Sequence, residues 1–82
     1  MLTIRLFATM RDAAGQAVLE MELPSSATVS EVFRQLTLLH PDVGPFRRSL
    51  LVAVNQEYAD WEGPVKDGDE IAFFPPVSGG RP

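Results

Sequence analysis

Few residues of this chain could do chemistry. Gly79 and Gly80 are adjacent near the carboxyl end, in the run Val77-Ser78-Gly79-Gly80-Arg81-Pro82. A glycine pair packs nothing and costs entropy when ordered. Its use there is chemical: a chain end without side chains can thread a narrow tunnel and present its carboxylate to another protein's active site. A bare pair would equally suit a disordered end. His40, the one histidine, is the only base available to a Ser-His-Asp arrangement. It falls at a predicted helix C-terminus, where a partly charged imidazole suits the helix dipole, so capping is its preferred role. Asp67-Gly68-Asp69-Glu70 lacks the ligand spacing and distant glutamate of a calcium loop and reads as a solvated turn. No glycine-rich phosphate loop with its lysine is present. Cysteine is absent, which excludes a disulfide scaffold, a thiolate metal site and a cysteine nucleophile. A single histidine excludes a multi-histidine metal site.

The elements that must position these residues are legible in the periodicity. Leu2 to Phe7 alternates with period two and predicts a strand with Thr3 and Arg5 facing away. Met10 to Gln16, small and polar with Gly15 as a breaker, predicts a loop or a short helical turn. Leu19 to Leu23 alternates again, with Glu20 and Glu22 on the wet face, and pairs as a hairpin with the first strand. Thr28 is a natural N-cap, with Glu31 completing a capping box. Val29, Val32, Phe33, Leu36 and Leu39 or His40 follow at helical spacing, and Pro41 stops the helix. Asp42 to Ser49 reads as loop. Leu50 to Val54 is apolar on both faces and predicts a buried central strand. Tyr58-Ala59 is a short return strand after a turn at Asn55-Gln56-Glu57, and Trp61 to Pro64 is another turn. Lys66 to Asp69 is a tight turn that needs Gly68, and Glu70 to Phe74 is the last strand, ended by Pro75-Pro76.

One helix across one face of a mixed sheet of about five strands satisfies this order. The predicted fold is a two-layer α+β domain, and the β-grasp arrangement fits it. The expected core is the helix stripe against Ile4, Leu6, Leu19, Met21, Val52, Val54, Ile71 and Phe73. The domain is expected to span residues 1–76, with 77–82 a flexible tail.

Size and charge narrow the function. The 82 residues make one domain, which buries about 63% of its unfolded surface and has no room for a deep active-site cavity. The net charge of −4 makes nucleic acid a poor partner. Residues 1–56 are balanced, and all of the net charge lies in residues 57–82, where six acids meet Lys66 and Arg81. No apolar run approaches a bilayer span and no signal peptide is visible, so the expected location is cytoplasmic.

Alternation also places Phe7 opposite Leu6 and Phe74 opposite Phe73, with Tyr58 beside them. Exposed aromatics that cluster mark a partner surface; the alternative is that each packs under a loop.

The tail and its neighbours carry a resemblance. Asp67-Gly68-Asp69-Glu70-Ile71-Ala72-Phe73-Phe74-Pro75-Pro76-Val77-Ser78-Gly79-Gly80 resembles the C-terminal signature of molybdopterin synthase small subunits, a family of ubiquitin-like sulfur carriers. Leu6-Phe7-Ala8 with Arg11, and Ala53-Val54-Asn55-Gln56, resemble it too. The resemblance implies that a ubiquitin-activating-type adenylating enzyme uses ATP to adenylate the Gly80 carboxylate. Sulfur loading then gives a thiocarboxylate, and the tail enters the large catalytic subunit. There its sulfur passes to cyclic pyranopterin monophosphate in molybdenum cofactor biosynthesis. Gly79 keeps the tail slim. Phe7, Arg11, Tyr58, Phe74, Pro75, Pro76, Val77 and Ser78 fall where the family meets its partners. The chain itself is then a non-catalytic donor subunit that binds no cofactor and no metal. In the family the second glycine is the last residue, whereas Arg81 and Pro82 follow here. Either a protease trims them, or they are foreign to the natural chain, or the chain is not a working carrier. A carrier for thiamine, cysteine or tRNA thiolation remains open, as does a protein modifier or a non-covalent β-grasp binding module.

Overall fold

The computed structural model describes residues 1–24 and 27–76. The expected tail, residues 77–82, lies outside the described residues. Five strands and two helices follow one another as β1 (Leu2–Leu6), α1 (Thr9–Ala14), β2 (Val18–Met21), α2 (Val29–Leu39), a 3₁₀ segment (Pro41–Ser49), β3 (Leu51–Val54), β4 (Glu57–Tyr58) and β5 (Glu70–Phe74). The sheet order is β2-β1-β5-β3-β4. β1 and β5 run parallel, with Ile4 opposite Ile71 and Leu6 opposite Phe73. The other pairings are antiparallel. This mixed sheet with α2 across one face is the expected α+β, β-grasp architecture.

Period two decides which side chains α2 covers. Leu2, Ile4, Leu6, Met21, Val52, Ile71 and Phe73 point to the core, where Val29, Val32, Phe33 and Leu36 of α2 meet them. Phe73 is fully buried, with its ring centroid 5.2 Å from Phe33 and 5.9 Å from Trp61. Trp61, expected only as part of a turn, closes the core, and the Arg47 guanidinium lies 4.2 Å over its ring.

Several expectations need correction. β3 is not the central strand: β5 is, and Leu51 is 39% exposed. The segment expected as loop after Pro41 is 3₁₀-helical, because Pro41 starts a turn and Val43 anchors it in the core. The apolar stripe of α2 ends at Leu36, since Leu39 is exposed. β2 begins and ends earlier than expected, and Leu23 lies beyond it, exposed. Half of the capping box forms. Glu31 N–H donates to Thr28 Oγ1 at 3.2 Å, but the Glu31 carboxylate turns to Arg34 and Gln35 instead. The remaining orphan donors of the first turn are met from elsewhere: Val29 N–H donates to Gly63 O and Ser30 N–H to Trp61 O.

Two turns fix the sheet's lower edge. Asn55 and Gln56 both have positive φ, 52° and 70°, the conformation that a two-residue hairpin requires of its central pair. Gly68 has φ 90° in the turn from Lys66 to Asp69. Asp69 is buried rather than solvated, which corrects the reading of its cluster. It accepts from Asn55 Nδ2 at 2.9 Å and from Lys66 N–H at 2.8 Å. Those bonds, the Asn55 amide first, hold its carboxyl below the usual range. A group with a depressed folded pKa stabilises above its unfolded pKa and loses that contribution as pH falls through the folded value. Asp69→Ala should therefore cost about 1–3 kcal/mol at neutral pH. Chemical denaturation should show the gap to the parent closing below about pH 4.

Candidate functional site

The side of the sheet away from α2 gathers the aromatics that alternation placed there. β1 ends at Leu6, and Phe7 continues its register onto the outer side, 45% exposed. Phe74 ends β5 on the same side. The two rings meet edge to face, 6.4 Å between centroids. Tyr58, 79% exposed, comes from β4 and lies 6.1 Å from Phe74. Residues from β4, β5 and the end of β1 thus build one aromatic row with Phe74 at its centre.

Leu51 belongs to this surface and was not anticipated. The β3–β5 register sets it opposite Phe74, with Ala53 opposite Ala72. An aliphatic run such as Leu50 to Val54 reads equally as a strand buried on both sides and as one whose outer side is sticky. Only the position of β3 in the sheet separates the two. Ala72 and Ala53 leave a low floor between the aromatics, and Arg5 lies beside it on β1, donating to Glu70 at 3.1 Å.

Phe7 is aimed by a backbone feature. Ala8 has φ 53° and ψ −124°, a conformation that costs a residue with a Cβ, and Met10 N–H donates back to Phe7 O. α1 then plugs Met10 into the core and ends at Gly15 with φ 80°. Arg11 is exposed on α1, and its ion pair is with Asp12, 3.9 Å away. No hydrogen bond or cation–π pair joins it to the aromatic row among the described residues. Pro75 is half-buried and Pro76 exposed where the chain leaves β5. Val77, Ser78, Gly79, Gly80, Arg81 and Pro82 lie outside the described residues.

The other candidates resolve as local structure. His40 caps α2 with its backbone N–H, donated to Leu36 O, and not with its ring. Its Nε2 lies 3.5 Å from the Gln16 amide. One concavity, about 400 Å³, runs between α2 and the 3₁₀ segment, in the helical layer and not on the aromatic side. Its charged lining is committed: Arg34 donates from Nε and Nη2 to the Glu31 carboxylate, which holds that carboxyl below its usual range. No helix of the described residues is long and apolar enough to cross a membrane.

The site is therefore an exposed aromatic surface whose central residue, Phe74, precedes the two glycines by five and six positions in the sequence. Known proteins resemble this chain in sequence and in fold. The ThiS family profile matches residues 4–80, a span that runs through both glycines. The molybdopterin synthase sulfur carrier subunit of Arabidopsis thaliana is 34% identical over 77 residues, covering 94% of this chain and 80% of that protein. The protein of the same name from Haemophilus influenzae is 37% identical over 83 residues, covering 98% and 100%. Among solved structures, small archaeal modifier protein 1 of Haloferax volcanii superposes with a TM-score of 0.83 at 31% identity, covering 96% of this chain and 98% of that one.

Proposed function

We propose a function from one premise: this chain belongs to the ThiS family. It is the sulfur carrier subunit of a molybdopterin synthase. The observation that carries this reading is the match through Gly80, joined to relatives named as such subunits over nearly the whole chain.

The chemistry asks little of the carrier. The Gly80 carboxylate attacks the α-phosphorus of ATP on an adenylating partner enzyme, and pyrophosphate leaves. The acyl adenylate is a mixed anhydride, so a poor electrophile becomes a good one. A sulfur nucleophile then displaces AMP, and the thiocarboxylate carries the sulfur onward to cyclic pyranopterin monophosphate. The carrier supplies no side-chain catalyst and binds no cofactor; ATP belongs to the partner. The row of Phe7, Phe74 and Tyr58 docks on the large subunit, while Gly79 lets the tail pass. A protease that removes Arg81 and Pro82 would expose the Gly80 carboxylate. A cytoplasmic site of action fits a step that consumes ATP.

The test is an intact mass. The 82-residue chain and a chain ending at Gly80 are incubated with the adenylating enzyme, ATP and a sulfur donor. A gain of roughly 16 Da, oxygen replaced by sulfur, is the expected result for the shorter chain. No gain in either form would overturn the carrier reading.

A second reading draws on the likeness to the archaeal modifier protein. There the same activated glycine would join a lysine of another protein. Conjugates that retain this chain after denaturation, with no sulfur transfer, would favour it.

A further inference from the structure

Two leucines of α2 serve neither the core nor the aromatic row. Leu38 and Leu39 are 65% and 62% exposed, on a helix whose other apolar side chains, Val29, Val32, Phe33 and Leu36, are buried. Across from them stand Met21, Glu22 and the exposed Leu23, and together they line a concavity of about 330 Å³. The groove lies between α2 and the end of β2, on the α2 side of the sheet. No residue of the aromatic row borders it.

The backbone beside this groove is open. β2 is the longer edge of the sheet, since β4 at the other edge has only 2 residues. Leu6 N–H donates to Ala17 O, so the hydrogen-bonded pairs of β1 with β2 alternate from there through Ile4–Leu19 and Leu2–Met21. The N–H and C=O groups of Val18 and Glu20 therefore face away from β1. Among the described residues the sheet has no further strand on that side. Such a row of backbone donors and acceptors is a template for another chain.

Charge selects which chain. Glu20 and Glu22 are exposed and make no ion pair among the described residues. Antiparallel pairing of β2 with the β2 of a second copy brings these carboxylates together, and like charges across strands are destabilising. A strand with lysine or arginine beside them is attracted instead. Its alternate side chains then point to the α2 side, where Leu23, Leu38 and Leu39 offer apolar surface.

We propose that the edge of β2 binds an extended segment of a partner protein, in which basic residues alternate with apolar ones, as an added strand. Main-chain hydrogen bonds to Val18 and Glu20 supply the pairing, and the side chains on either side supply the choice. Basic side chains lie beside Glu20 and Glu22, and apolar ones fill the groove against Leu38 and Leu39. This surface is separate from the aromatic row, which lies on the opposite side of the sheet. A bound segment therefore leaves Phe7, Phe74 and Tyr58 free for another partner.

The experiment uses the 82-residue chain and an acetylated, amidated peptide of about seven residues, enough to lie along β2, with lysine alternating with valine or leucine. A second peptide carries glutamate in place of lysine. Fluorescence anisotropy measures binding, and amide exchange followed by NMR locates it. The lysine peptide should bind more tightly than the glutamate peptide and slow exchange of the Val18 and Glu20 amides by at least about tenfold. Glu20→Lys combined with Glu22→Lys should weaken the lysine peptide by at least about tenfold and reverse the preference. Leu38→Ala combined with Leu39→Ala should weaken it by about tenfold with little change in melting temperature, since both side chains are exposed in the free chain. No binding of the lysine peptide at millimolar concentration would overturn the proposal, as would equal binding of the two peptides by the parent. Binding that leaves the Val18 and Glu20 amides unprotected would overturn strand addition. Protection of those amides that rises with protein concentration alone would make a second copy the occupant and overturn the basic partner.

Discussion

Phe73→Ala should remove a large share of the domain's stability, about 3–5 kcal/mol. Phe73 is fully buried and touches both rings that seal the two layers, Phe33 and Trp61. It also sits on the central strand, opposite Leu6 on one side and Val52 on the other. The void cannot collapse easily, because sheet neighbours on both sides are held by backbone hydrogen bonds. A domain of this size has only about 5–12 kcal/mol in total, so the variant should be partly unfolded near physiological temperature. Thermal denaturation followed by circular dichroism measures it. A loss under about 1 kcal/mol would mean that α2 repacks freely on the sheet.

Phe74→Ala, one residue on, should do the opposite. Phe74 is partly buried, outside the core, and its ring neighbours are Phe7 and Tyr58, both exposed. Removing it takes away the centre of the docking row while leaving the core intact. Affinity for the large subunit should fall by about 1–3 kcal/mol, the range of a buried aromatic anchor. The melting temperature should hardly move. Titration calorimetry against the large subunit, beside a thermal melt, separates the two effects. A stability loss matching the binding loss would place Phe74 in the core and remove the docking face from the argument.

The contrast between these neighbours shows what was readable in advance. Alternation alone set Phe73 inward and Phe74 outward, and likewise Leu6 and Phe7, because a strand has only two sides. Thr28 was readable as a cap because capping is local. What failed was non-local. Nothing within Leu50 to Val54 says that β5 lies between it and β1, so its outer apolar residues looked buried when they are surface. α1 and the 3₁₀ segment each hold only one fully buried residue, Met10 and Val43. One anchor makes no period, so pattern left α1 open between a loop and a short helical turn and missed the 3₁₀ segment. Glu31 shows the limit of motif reading: its spacing from Thr28 is right for a capping box, but Arg34 one turn on is a stronger partner for a carboxylate. The glycine pair was legible as chemistry, and its meaning came from the residues before it.

The parallel pairing of β1 with β5 has a consequence for synthesis. The first strand made is complete only when it meets the last, and the strand between β1 and β3 is missing until then. A nascent chain that stops before Glu70 therefore has two half-sheets with open inner edges and no Phe73 between the layers. Pairings between distant residues form slowly, and unpaired edges in the interval invite aggregation. The tail follows the strand that completes the sheet, so a chain whose glycines have been made already holds every residue the fold requires. On the proposed function, activation is thereby reserved for finished molecules: a chain that stops before Glu70 lacks Phe74, the centre of the aromatic row, and the glycine pair together.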